Sequence, residues 1–251
     1  MTTVAPLPPP NSKRPISPLC IYLIRHGETK WTLTGQHTGF TDIPLTSPGE
    51  NEARDLGKHL QDIVFAQVLT SPLKRARQTC ELVGLKPAPE IEPDLAEWNY
   101  GDYEGKLSID IRAQRPGWSV FRDGCPNGEM PAQVSARADR LIARLRTLNG
   151  NIAIFSHGQF GGVLAARWIG LPLAEARHFP LGTASVSVLG QDPHHPEVSV
   201  VALWNFISHH LSHSALSQVT GLTRKTRAIQ RWENEGGEIP VEQRQKAERV
   251  C

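Results

Sequence analysis

The chain has 251 residues, 39% of them hydrophobic and 21% charged, with a formal net charge of +2. This composition excludes a disordered or fibrous polymer and fits one or two globular domains. So small a net charge supplies no bulk attraction for nucleic acid or membrane, and any pull on anions must come from local clustering.

Residues 1–18 are proline-rich, poor in large apolar groups, and read as an extended leader. The apolar run 19–24 is too short for a signal-peptide core, and no stretch approaches the roughly 20 apolar residues a membrane span needs. Cys20, Cys80, Cys125 and Cys251 show neither a CxxC pair nor metal-ligand spacing. Cys20 and Cys80 lie in apolar runs and read as small core residues, which suits the cytoplasm.

Residues 20–24 form a continuous apolar run with β-branched and aromatic members, predicting a fully buried strand that stops at Arg25-His26-Gly27. Ser47-Pro48-Gly49-Glu50 predicts a helix start, with Ser47 as N-cap and Pro48 at the first helical position. Ala53, Leu56 and Leu60 follow at helical spacing. A second buried strand falls within 64–70, and Ser71-Pro72 opens a helix reaching about residue 83. Residues 87–131 are rich in Pro, Gly, Trp and Asp, with weak periodicity, and read as a long excursion that folds over the sheet edge and shapes a pocket. Val134, Ala138, Leu141 and Leu145 stripe an amphipathic helix over 133–148. A third buried strand, 151–155, ends at Ser156-His157-Gly158, and a helix follows over 161–169. Strands are expected at 184–189 and 198–204, joined by a turn at 193–196, and a basic helix at 223–235. The domain reading is a leader 1–18, a main domain 19–213 and a helical extension 214–251.

Two buried strands thus end in His-Gly, and a third ends in Thr70-Ser71-Pro72-Leu73-Lys74-Arg75. In a parallel α/β sheet the strand C-termini share one edge, and that edge hosts the ligand. His26, His157, Arg25 and Arg75 would then meet in one crevice. That set suits a tetrahedral dianion: guanidiniums donate in fork geometry to phosphate oxygens, and the helix after His157 adds backbone N–H groups. An imidazole there can be a nucleophile if one nitrogen is held as a donor and the other is left unprotonated. Phosphoryl transfer needs mainly positioning and charge neutralisation, which the arginines and His157 could supply in place of a metal ion. No carboxylate cluster reads as a metal site. The histidines at 194, 195, 209, 210 and 213 lack tetrahedral-site spacing and read as turn or helix-end residues.

The blocks 23–29 (Leu-Ile-Arg-His-Gly-Glu-Thr), 38–46, 71–79, 97–105 and 156–159, in that order, resemble the histidine phosphatase, or phosphoglycerate mutase-like, superfamily over roughly residues 19–206. The resemblance implies a three-layer α/β/α sandwich with a central, mostly parallel sheet and no cofactor. It implies that His26 is the residue phosphorylated, and that Arg25, Arg75, His157 and the backbone N–H of Gln159 hold the phosphate. Glu97 matches the family's proton donor. It would have to carry a proton at the start of the first step, under apolar cover from Trp98 and Tyr100, and would later take one from the attacking water. Thr32 stands where many members have an asparagine that contacts the phosphate, and offers only a shorter hydroxyl.

The mutase branch differs at the block 97–101, here Glu-Trp-Asn-Tyr-Gly, and carries a basic insert that has no counterpart here. The stretch 106–130 instead resembles broad-acting phosphatases and sedoheptulose bisphosphatase-like members. The expected function is therefore phosphomonoester hydrolysis. Phosphoglycerate mutase activity and a catalytically silent phosphate-binding scaffold are the alternatives. The expected partner is a small-molecule phosphate ester, with neither nucleic acid nor membrane involved; self-association is left open. His37, Thr38, Phe40, Tyr100 and Tyr103 are expected to line the mouth, where mixed aromatic and hydroxyl walls would suit a sugar phosphate.

Overall fold

A computed structural model describes residues 18–207. In chain order it runs β1 (Cys20–Arg25), α1 (Lys30–Thr34), α2 (Ser47–Leu60), β2 (Gln67–Thr70), α3 (Lys74–Val83), β3 (Glu90–Ile91), α4 (Ser108–Gln114), α5 (Val120–Asp123), α6 (Pro131–Leu145), β4 (Asn151–Ser156), α7 (Gly158–Trp168), β5 (Val186–Gln191) and β6 (Ser199–Phe206). Single 3-10 turns fall at Pro93–Leu95, Gly101–Tyr103 and Leu173–His178. The extension 214–251, its 223–235 helix and nearly all of the 1–18 leader lie outside the described residues.

The strands form one sheet in the order β3-β2-β4-β1-β5-β6. The first four are parallel; β5 runs against β1, and β6 against β5. The sheet is therefore mixed, with its parallel part carrying the two His-Gly strand ends. Side chains alternate across the pleat. Ile21 and Leu23 of β1 enter a cluster with Leu141 and Leu145 of α6 and Phe160 and Leu164 of α7. Tyr22 points the other way and meets Phe65 edge-on, 5.1 Å between ring centroids. Ala53 and Leu56 of α2, and Ala76 and Cys80 of α3, are buried outside that cluster, and α3 packs on β2 and β4. Helices thus cover both faces, as buried parallel strands require.

Several boundaries shift from the sequence reading for identifiable reasons. The N-cap of α2 is Thr46 rather than Ser47: its hydroxyl accepts the Gly49 N–H at 3.1 Å and donates to Glu28 Oε1 at 2.6 Å. Helix α3 starts at Lys74, whose N–H donates to Asp42 Oδ1 at 2.6 Å, a cap supplied from 32 residues upstream. Helix α7 begins at Gly158, directly after His157, and includes Gly161 and Gly162. Those glycines serve close packing, since a Cβ on Gly161 would stand 2.6 Å from Leu181 Cδ1. The excursion 87–131 carries β3, α4, α5 and two 3-10 turns, elements too short for periodicity to reveal. Among the described residues no helix is long and apolar enough to cross a membrane, and no cluster of His, Cys, Asp and Glu could hold a metal ion.

Candidate active site

Strands β1 and β4 pair in register, Arg25 opposite Ser156. His26 and His157 therefore leave neighbouring strands at the same edge. Their ring centroids are 5.3 Å apart, and the His26 N–H donates to Ser156 O at 3.1 Å. On the far side of β4, β2 ends with Thr70 opposite Phe155, and the next residue, Ser71, donates its N–H to Phe155 O at 2.9 Å. Arg75 follows in the first turn of α3. The turn after β1 is tied to that helix: Gly27 N–H donates to Thr79 Oγ1 at 3.0 Å, and the Thr79 hydroxyl donates to Arg75 O at 2.7 Å. Gly27 has no room for a side chain, because a Cβ would lie 2.4 Å from Gly49 O.

His26 is buried, and its Nδ1 lies 2.8 Å from Gly27 O. A carbonyl oxygen only accepts, so Nδ1 carries the proton and the lone pair of the neutral ring is on Nε2. Burial first, then the charges of Arg75 and Arg25, hold this imidazole well below its ordinary value; the bond to Gly27 opposes them. The ring is uncharged at neutral pH. His157, fully buried, is held low by burial, Arg75, His26, Arg25 and Arg137, in that order.

Both guanidiniums are anchored by terminal nitrogens to backbone carbonyls. Arg25 donates to Leu181 O, and its guanidinium lies against Gly158, where a Cβ would stand 3.3 Å from Cζ. Arg75, fully buried, donates to Thr38 O at 3.0 Å, Gly39 O at 2.8 Å and Thr41 O at 3.3 Å. Glu104 binds that same loop from the other side, accepting the N–H groups of Gly39, Phe40 and Thr41 at 3.1, 2.9 and 3.3 Å. The loop is thus clamped between a carboxylate and a guanidinium. Glu104 went unrecognised as a site residue in the sequence reading. Among the described residues, the buried side-chain polar atoms left without a hydrogen-bond partner are Arg25 Nε, Arg75 Nε and His157 Nδ1. Native structures rarely strand such atoms, and here all belong to the set expected to bind phosphate.

Glu97 is buried and accepts three backbone N–H groups: Trp98 at 2.8 Å, Gln159 at 3.0 Å and Phe160 at 2.8 Å. The last two are helix N-terminal donors that no α7 carbonyl can satisfy. The Gln159 N–H, expected on the phosphate, is therefore held by Glu97 in this structure. The segment bearing Glu97 is fixed in turn by Arg137 of α6. That side chain donates to the carbonyls of Asp94, Ala96 and Glu97 at 2.9, 2.6 and 3.2 Å, forks onto Glu129 at 3.1 and 2.9 Å, and stacks over Phe160 at 4.2 Å. The sequence reading missed Arg137, although its place beside Val134, Ala138 and Leu141 on the buried stripe of α6 was the signal: a charge on an apolar face needs buried partners.

A cavity of about 390 Å³ opens at this edge, its wall including Arg25, His26, Thr32, His37, Thr38, Glu97, Tyr100 and Gln159. Arg75 and His157 are buried and do not reach that wall. Thr32 lines it, but its hydroxyl donates to Thr29 O and accepts the Thr29 N–H, both at 2.8 Å, so it caps α1 rather than facing a ligand. His37 stacks on Tyr100 at 4.5 Å and bonds Ser108 Oγ at 3.0 Å; burial pushes its imidazole down to about 4. Two expected mouth residues are elsewhere. Phe40 is half exposed and outside the wall, because the clamp turns its backbone inward. Tyr103 packs edge-on against Trp118 at 5.2 Å, with Lys106 over its ring. Trp31, Gln36, Ser108, Phe121 and Arg177 are in the wall instead. They come from short helices and turns that carry no motif.

The model of the histidine phosphatase superfamily (branch 1) matches residues 21–204. An acid phosphatase of Mycobacterium tuberculosis is 39% identical over 187 residues, 73% of this chain and 92% of that protein. A sedoheptulose 1,7-bisphosphatase of Saccharomyces cerevisiae is 38% identical over 190 residues, 62% of this chain and 69% of that protein. Phosphoglycerate mutase names also occur among the relatives, at 32% identity. The solved structure of an open reading frame of Mycobacterium tuberculosis superposes with a TM-score of 0.71 at 36% identity, covering 76% of this chain and 98% of that one. With paired strand-end histidines, two arginines beside them and a matching profile over most of its length, the chain belongs to the histidine phosphatase superfamily.

Proposed function

We propose that this chain is a metal-independent phosphomonoester hydrolase that works through a phosphohistidine at His26. The observation that carries the reading is that the buried, unpartnered nitrogens Arg25 Nε, Arg75 Nε and His157 Nδ1 all belong to residues bordering one imidazole, His26, held neutral with its lone pair on Nε2. Two guanidiniums with free Nε–H groups suit a phosphoryl dianion, and they supply the charge neutralisation that a divalent cation supplies in other phosphoryl-transfer sites.

In the first step the Nε2 lone pair of His26 attacks phosphorus in line, the bond to the ester oxygen breaks, and Glu97 delivers its proton to that oxygen. In the second, Glu97 takes a proton from water as the water oxygen attacks phosphorus, and the bond to Nε2 breaks. The Gln159 N–H, released when Glu97 shifts toward the leaving oxygen, becomes available to the phosphoryl group. A small sugar phosphate suits the cavity: Gln36, His37 and Ser108 offer hydrogen bonds beside the Trp31 and Tyr100 rings. The cytoplasmic placement rests on the free thiols of Cys20, Cys80 and Cys125. The hydrolytic assignment over mutase rests on the lack of a basic segment after residue 101.

The test is a phosphate-release screen over sugar phosphates, 3-phosphoglycerate and p-nitrophenyl phosphate, with chelator present, plus intact-mass measurement after acid-free quenching. The expected result is release abolished by His26→Ala and a phosphoryl adduct confined to the wild type. Transfer between substrate hydroxyls without net release would favour the mutase. Phosphate binding with no turnover would favour the silent scaffold.

A further inference from the structure

We infer that Ser71 is a positioning residue that locks His157 as its Nδ1–H tautomer, so that His157 acts on the phosphoryl group only as a hydrogen-bond donor. The inference rests on the reading above that the phosphoryl group is held beside both imidazoles.

Ser71 follows β2 and is fully buried. Its Oγ accepts the Leu73 N–H at 3.2 Å and lies 2.7 Å from His157 Nε2. The hydroxyl has one proton to place. If it donates to Nε2, the ring proton is on Nδ1, and the sole group of the pair left unsatisfied is an N–H donor. If Nε2–H donates instead, the hydroxyl proton has no acceptor among the described residues, and Nδ1 becomes a buried lone pair with no donor. The second arrangement strands two groups where the first strands one. It would also turn a lone pair, rather than a proton, toward the phosphate oxygens.

The two histidines then share one tautomer but are held by opposite ends. His26 is gripped at Nδ1 by Gly27 O and offers a lone pair at Nε2. His157 is gripped at Nε2 by Ser71 and offers an N–H at Nδ1. One ring can attack phosphorus and the other can only donate to its oxygens, which settles why two uncharged imidazoles 5.3 Å apart do not compete for the phosphoryl group. A serine at this position serves that purpose because its hydroxyl can accept from Leu73 and donate to the ring at once.

The experiment labels the histidines of the full chain with ¹⁵N and reads long-range proton–nitrogen correlations, with His157→Gln assigning the signals. His157 is expected to show a protonated Nδ1 and an unprotonated Nε2. Ser71→Ala should mix the tautomers and weaken inhibition by orthovanadate about tenfold or more, the loss of a hydrogen bond to a charged ligand, and Ser71→Thr should restore both. A protonated Nε2 in the wild type overturns the inference whatever the activity. So does an unchanged tautomer in Ser71→Ala; if that variant fails to fold, the wild-type and Ser71→Thr spectra still decide. A protonated Nδ1 in a chain that neither releases phosphate nor binds vanadate upholds the lock and sinks the phosphatase reading instead.

Discussion

Arg137→Met should weaken both the fold and the delivery of the Glu97 proton, and the two effects can be separated. The wild-type guanidinium holds three carbonyls of the segment 94–97 and forks onto Glu129, with only 10% of the arginine side chain and 18% of the glutamate side chain exposed. Removing one member of a buried ion pair leaves the other charge uncompensated, at a cost of about 3–5 kcal/mol. The stranded carbonyls push the figure to the upper end. That is a large part of the roughly 5–15 kcal/mol that holds a domain together. Urea unfolding should therefore show a strongly lowered midpoint, and Arg137→Met with Glu129→Met should recover much of it, since both charges leave together. Below the transition, the catalytic effect follows the leaving group. An aryl phosphate departs with little protonation and should be nearly spared; an alkyl phosphate needs the Glu97 proton and should lose about a hundredfold in kcat, the scale of general acid catalysis. Equal losses on both substrates, with a midpoint change worth under about 1 kcal/mol, would refute the view that Arg137 fixes Glu97.

Lowering pH from 6.5 toward 4 should destabilise the chain steeply. His26, His157 and His37 all titrate below 6.5 when folded. The unfolded chain binds those protons first, so acid favours unfolding, with a slope of up to about 1.4 kcal/mol per pH unit for each ring; a flat melting profile between pH 7 and 5 would contradict this. Ala184 has φ 46° while its N–H holds His26 O at 3.0 Å, so Ala184→Gly should gain about 0.5–1 kcal/mol in thermal unfolding with phosphatase activity retained. Gly39→Ala would set a Cβ 2.0 Å from Glu104 Oε1 and 2.5 Å from Trp98 O, and should open the clamp that holds Arg75. Vanadate affinity should fall by about tenfold or more as Arg75 loses its anchors; unchanged affinity would show that the loop does not position the guanidinium.

Local chemistry in the sequence determined the strands 20–24 and 151–155, the helices after Ser47 and in 133–148, and the placement of His26, His157, Arg25 and Arg75 at one sheet edge. Continuous apolar runs, capping residues and a shared strand direction are short-range signals, and they suffice for those features. Glu97 was recognisable only through the resemblance of its block to the family's, and neither the three N–H groups it accepts nor the hold of Arg137 on its segment was legible. Tertiary structure alone decided that Phe40 and Tyr103 turn away from the cavity and that Arg75 is clamped through a loop held by Glu104. Each depends on a hydrogen bond or ring contact between residues well separated in the chain, and pairing at that range leaves no periodicity or spacing to read.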